Sequence, residues 1–157
     1  MSEVDRMLQG IIERAGEEAR RDGAAAIEVG HLLLAIAADP DPTTREILAS
    51  VGLDEQGARE ALEREFEHSL DVVGVSASAF DLPPPSPAPK PPTRVGASFK
   101  LALERAIACC PRKRDLRPAH LLLGILQAEV GTVPRALELA GIDRSDIRER
   151  VGRALGE

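Results

Sequence analysis

The chain has no tryptophan, no tyrosine and only three phenylalanines among its 157 residues. Without aromatic rings there is no platform on which unpaired bases could stack. The formal net charge of −6 argues against sequence-independent binding to phosphate backbones, which depends on an excess of cations. No nucleic-acid partner is expected. Cysteine is equally scarce: Cys109 and Cys110 are the only two and are neighbours, a spacing that does not make a disulfide framework. The core must therefore hold the fold, and a chain of this length can bury roughly 70% of the surface it exposes when unfolded. No run of eighteen apolar residues occurs, so no membrane span is expected. The first residues, "MSEVDRMLQG", place no basic cluster ahead of an apolar run. No secretory leader is expected there, and the expected location is cytoplasmic. The phosphate-binding pattern G-x-x-x-x-G-K-[ST] is absent as well, and no cofactor is expected.

What the chain does contain is alanine and leucine, with 43% hydrophobic and 29% charged residues, a balance that favours helix over sheet. It also repeats itself. "GHLLLAI" at 30–36 returns 89 positions later as "AHLLLGI" at 119–125. In the same register Thr43 meets Thr132, Leu48 meets Leu137, Gly52 meets Gly141, Asp54 meets Asp143, and Arg59-Glu60 meets Arg148-Glu149. Upstream, "ERA" at 13–15 meets "ERA" at 104–106 once two residues are deleted from the second copy. This is an internal duplication, so each copy should build the same supersecondary unit.

The periodicity predicts four helices per copy and about eight in all, an all-α fold of two pseudo-symmetric repeats. In the first copy Val4, Leu8, Ile11, Ile12, Ala15 and Ala19 recur at helical spacing and Gly23 supplies a stop. A short helix at about 30–38 is apolar on every side, which marks it as the buried element. Thr43 or Thr44 is suited to cap a third helix ending at Gly52. Asp54 is expected to cap a fourth, with Ala58, Ala61, Leu62 and Phe66 facing inward. The second copy follows with Phe99, Ala102, Leu103 and Ala106, then Leu121–Leu126, then Thr132 to Gly141, then Asp143 onward. The chain is thus expected to form a single domain over 1–157, with repeat 1 at 2–70 and repeat 2 at 96–155. Between them lies a linker at 71–95, Pro-rich at 83–92, where proline removes amide donors and favours an extended spacer over a docking peptide.

The residues that suggest chemistry also have structural readings. His31 and His120 open equivalent apolar helices; a metal site would need further ligands at suitable spacing, and the only other histidine is His68 on a polar helix. A structural role for both, capping or bridging backbone groups, is preferred, and no metal is expected. Cys109-Cys110 beside "PRKRD" places a thiol near cations, but no base or oxyanion site accompanies it. A core role is preferred there, with redox sensitivity as the alternative. "DPDP" at 39–42 lacks the ligand spacing of a calcium loop. Pro118 suits a first helical turn, whereas Val29 offers no cap, leaving Glu28 to accept from the free amides. No catalytic constellation is visible, and the chain is not expected to be an enzyme.

The duplication, the two His-Leu-Leu-Leu cores, the "LxxxGxD" punctuation and the "ALERA" helix resemble the Clp N-terminal domain family. That family is a double-repeat helical module at the front of Clp unfoldases, and the resemblance runs from Val4 to Leu155. The chain is similar to such a module standing free, without ATPase domains. The resemblance implies a platform that receives adaptors and substrates and passes them to an unfoldase. In one branch the module binds phosphoarginine, through a glutamate just before each repeat histidine and a threonine opening each repeat. Here the glutamate positions are Gly30 and Ala119, and the threonine positions are Asp5 and Gly96, with Ser98 close by. Asp5 would repel a phosphate dianion, and neither Gly30 nor Ala119 can pair with a guanidinium, so phosphoarginine is not the expected ligand. Family members commonly have a Gly-containing loop where this chain has "RKRD" and Arg117. That basic cluster reads as a solvated loop or, more sharply, as a docking edge for an acidic partner.

Two readings follow. The first is a non-enzymatic interaction module of Clp proteolysis, whose partner is a Clp unfoldase, adaptor or substrate. The second is a receptor or decoy for a peptide-like ligand that would otherwise target an unfoldase. Under either, the expected binding residues are Asp5, Glu28, Gly30, Gly96, Arg117 and Ala119, on the seam between repeats.

Overall fold

The computed structural model describes residues 1–74 and 86–156. Among them lie eight α-helices: α1 (Glu3–Arg21), α2 (Val29–Ala37), α3 (Pro42–Ser50), α4 (Glu55–Val72), α5 (Ala97–Ala108), α6 (Pro118–Leu126), α7 (Thr132–Leu139) and α8 (Arg144–Ala154), with a 3-10 turn at Lys113–Asp115. The fold is all-α in two sets of four, as the duplication predicts. The centre belongs to α2 and α6, which touch each other. Every side chain from His31 through Ala37 is buried, and so is every residue of α6. These two helices have no polar face because they have no solvent side.

The repeats interlock: α4 of the first packs on α7 of the second, and α3 packs on α8. Polar contacts cross with them. Arg135 of α7 reaches the buried Glu65 carboxylate of α4 at 3.0 Å, and Arg150 of α8 donates to the Ser50 hydroxyl at 3.1 Å.

Local signals set the helix ends. Ser2 caps α1: its hydroxyl oxygen accepts the Asp5 amide at 3.1 Å, and Asp5 Oδ2 accepts the Ser2 amide at 3.1 Å. Such a reciprocal box stabilises a helix by about 1 kcal/mol. Asp54 caps α4 through the Gly57 amide at 2.8 Å, and Asp143 caps α8 through the Ser145 amide at 2.9 Å. Gly23, Gly52 and Gly141 each follow a helix at positive φ, of 65°, 78° and 72°.

Three expectations change. The cap of α3 is Asp41, whose Oδ2 accepts the Thr44 amide at 3.0 Å and the Thr44 hydroxyl at 2.8 Å. Pro42 can fill the first turn because its missing amide would be unpaired there anyway, so the helix begins ahead of both threonines. Phe66 is 59% exposed. The buried stripe of α4 runs Ala58, Ala61, Glu65, and Phe66 stands one residue, about 100°, off it. Glu65 occupies the inward place, held by Arg135 and by the Ser69 hydroxyl at 2.7 Å.

The third change concerns the linker. Its residues 75–85, including the first prolines, lie outside the described residues. The remainder is strapped to repeat 1. Ala88 donates to the Arg20 carbonyl at 2.8 Å and its own carbonyl accepts from Arg20 Nη1 at 3.1 Å. Ile27 donates to the Arg94 carbonyl at 2.9 Å and Gly96 to the Ile27 carbonyl at 2.8 Å, which makes a parallel bridge between Ile27 and Val95. Pro91 packs beside Gly16, where a Cβ would stand 3.6 Å away. An extended proline segment keeps its carbonyls free to accept, so it can dock where it cannot pair as a strand.

Candidate binding faces at the repeat junction

The bridge at Ile27–Val95 brings the start of α2 against the start of α5. The Glu28 carboxylate accepts the Ser98 hydroxyl at 2.5 Å, and that hydroxyl oxygen accepts the Val29 amide at 3.0 Å. Ser98 of repeat 2 therefore caps α2 of repeat 1, with Glu28 orienting it. Glu28 and His31 also form a capping box at the start of α2, so Ser98 adds to the Glu28 cap that the sequence led us to expect. A Cβ at Gly96 would fall 2.0 Å from Glu28 Oε1 and push that side chain aside, so the glycine lets Glu28 lie against the start of α5. The structure thus joins Glu28, Gly96 and Ser98 into one closed contact. Its carboxylate is already engaged by a hydroxyl.

His31 secures the same junction. Its Nδ1 accepts the Glu28 amide at 3.0 Å and its Nε2 lies 2.9 Å from Asp22 Oδ2. An accepting Nδ1 puts the ring proton on Nε2, where it donates to the carboxylate. His120 repeats the first half of this arrangement, its Nδ1 accepting the Arg117 amide at 2.9 Å. Both rings are buried at 7% exposure, and their work is to satisfy a helix-start amide.

At the other end of the junction the loop before α6 meets the start of α1. Lys113 Nζ lies 3.9 Å from Asp5 Oδ1. The Ser2 hydroxyl, donating to Asp5 Oδ2 at 2.7 Å, holds the Asp5 carboxyl below the ordinary aspartate range, helped by the Ser2 amide and more weakly by Lys113. Arg112, Lys113, Arg114 and Arg117 are all exposed. Arg112 is partly neutralised by Asp115 at 2.9 Å. The two ends differ in character: the Glu28 end is closed by hydrogen bonds, and the Asp5 end is open and cationic.

The remaining positions do not join this face. Ala119 has no exposed surface and Gly30 rests on Leu62 of α4, where an added Cβ would touch the leucine methyls at 3.6 and 3.7 Å. Ala119 sits beneath the seam because the buried helix α6 carries it inward, whereas Gly30 is half-buried at the start of α2. Cys110 is buried at 8% exposure and donates to the Arg112 carbonyl at 3.0 Å, whereas Cys109 is half-buried and accepts from the Gln127 amide at 2.7 Å. Among the described residues no group of His, Cys, Asp and Glu is arranged to hold a metal ion, and no helix is long and apolar enough to cross a membrane.

The model of the Clp repeat (R) N-terminal domain matches residues 3–88. The chloroplastic chaperone proteins ClpC2 of Oryza sativa subsp. japonica and ClpC1 of Arabidopsis thaliana are each 31% identical to this chain over 147 residues. The match covers 94% of this chain and 14% of either relative, so the chain spans only a small part of their length. Among solved structures, the N-terminal domain of the caseinolytic protease-associated chaperone ClpD from Arabidopsis thaliana superposes with a TM-score of 0.62, over 94% of this chain and 93% of that one, at 19% identity. At that identity the likeness is one of fold.

Proposed function

The chain belongs to the Clp repeat N-terminal domain family, and from that membership we propose that it is a non-enzymatic protein-interaction module that binds adaptors, substrates or degrons and modulates their delivery to a Clp unfoldase. The observation that supports this most directly is the open end of the repeat junction. Arg112, Lys113, Arg114 and Arg117 stand exposed on an otherwise acidic protein, beside a seam at whose other end the Glu28 carboxylate is bonded to Ser98. A cationic edge of this kind steers and orients a partner carrying an acidic surface. Phosphoarginine fits the seam poorly: Glu28 already holds a hydroxyl and Asp5 sets a negative charge where a phosphate would lie.

The test is a pull-down with the tagged full chain, in parallel with a variant carrying Arg114→Glu and Arg117→Glu, followed by mass spectrometry and a salt titration. Enrichment of a Clp ATPase, its peptidase or an adaptor, lost in the variant and weakening as salt rises, is the expected result. Retention of a small peptide with no Clp component would replace this reading by the decoy.

A further inference from the structure

The two repeats differ most sharply where their first and last helices meet. In repeat 1, Arg59 of α4 holds the Glu18 carboxylate of α1 with two hydrogen bonds, at 2.8 and 3.0 Å. Glu55 lies 4.0 Å from the same guanidinium. Glu18 first, with help from Glu55 and Glu63, raises the Arg59 pKa above its ordinary value. The duplication carries Arg59 to Arg148 unchanged, but none of its three carboxylates survives. Glu18 becomes Cys109 in the "ERA" register, Glu55 becomes Arg144, and Glu63 becomes Gly152.

Arg59 lines a cleft of about 380 Å³ that has Glu55 in its wall; in repeat 2 Cys109 stands at the Glu18 position and shares a cleft with Arg148. A surface cleft of about 430 Å³ lies between the end of α5, α6 and α8, lined by Cys109, Leu123, Gln127, Ser145, Arg148 and Glu149. Arg148 makes no ion pair among the described residues. Gln127 gives one amide hydrogen to Cys109 Sγ and keeps the other. The single carboxylate in the lining, Glu149, is engaged by Arg153 at 3.6 Å. Arg144, the added cation, donates to the Ala128 carbonyl at the same end of α6.

We infer that this cleft is a binding site for a carboxylate group supplied by a ligand, which takes the place that Glu18 occupies in repeat 1. The Arg148 guanidinium receives the two oxygens as Arg59 receives those of Glu18, and the Gln127 amide and Ser145 hydroxyl donate around it. Leu123 and the Cys109 sulfur give the ligand an apolar wall, so a carboxylate on a short apolar stem fits better than a highly charged acid. This site is separate from the junction face, and it stands whether or not the cationic edge binds a Clp component.

One experiment distinguishes two sources of the carboxylate. The ¹⁵N-labelled full chain is titrated with propionate, with propionamide, and with an N-acetylated hexapeptide ending in Val-Ala as the free acid or as the amide. The expected result is saturable shifts of the Gln127 side-chain amide and the Cys109 and Arg148 resonances with the acids and none with the amides. Binding by propionate alone assigns the site to small acids; tighter binding by the peptide acid assigns it to chain termini. Arg148→Gln, on an exposed side chain, is expected to weaken binding about tenfold or more. Cys109→Glu should restore the internal pair, abolish binding and raise the melting temperature. Equal shifts with acids and amides, or binding unchanged in Arg148→Gln, would overturn the proposal, as would the absence of shifts at tens of millimolar ligand.

Discussion

Glu65 of α4 and Arg135 of α7 are paired at 3.0 Å across the two repeats, with the carboxylate side chain 7% exposed and the guanidinium 53% exposed. The pair marks where the halves of the duplication lock together. Removing the arginine leaves a buried carboxylate with only the Ser69 hydroxyl. Arg135→Ala should therefore cost about 1–2 kcal/mol, more than an ordinary surface pair. Glu65→Leu fills the same volume without the charge and should cost less than Arg135→Ala, or even stabilise. Urea denaturation of both variants checks the order, and the reverse order would mean that the pair is a net source of stability.

Gly124 of α6 is required by contact rather than by φ. A Cβ there would stand 2.3 Å from the Ala102 carbonyl oxygen and 2.8 Å from the Ala106 amide nitrogen, both backbone atoms of α5. Its repeat 1 counterpart is Ala35, buried at 1% exposure. Gly124→Ala should cost on the order of 3 kcal/mol, because backbone must move to make room. Ala35→Gly should cost about 2 kcal/mol, from the helix-propensity difference and the lost buried methyl. A thermal melt of each variant separates the two.

His31 joins the Glu28 amide to the Asp22 carboxylate from a buried position. His31→Ala leaves a helix-start amide without its acceptor and should lower stability by about 2 kcal/mol. Nitrogen-detected NMR should find the His31 proton on Nε2. A proton on Nδ1 would be incompatible with the amide contact.

Asp5 provides a pH test. Its folded pKa is depressed by the Ser2 hydrogen bonds, so the capping box contributes at neutral pH and is lost as the pH falls through that depressed value. Carboxyl-detected NMR should give an Asp5 midpoint below that of an unperturbed aspartate. Ser2→Ala should raise the midpoint while the fold persists.

Helix order and fold class were legible because a buried helix must be apolar all round and a cap must be a short polar side chain. "HLLLAI" and "HLLLGI" announced α2 and α6, and Asp54 and Asp143 announced α4 and α8. Asp41 and Phe66 were misread for local reasons. A proline inside the first turn hides the true cap ahead of it, and a phenylalanine one residue off a stripe cannot be told from one on it until the helix is docked.

The site is a different matter. The family pattern pointed to Asp5, Glu28, Gly96 and Arg117, yet it did not say which of them still present a free group. Ser98 takes up the Glu28 carboxylate from seventy residues away, and Ala119 lies wholly inside the core. The sequence by itself determined the duplication and the helices, since periodicity and capping act over a few residues. Only the tertiary structure decided which charges are matched and which are left without an ion pair. Arg59 and Arg148 are the same residue in the same repeat position, and what separates them is the carboxylate that α1 brings to one and α5 does not bring to the other.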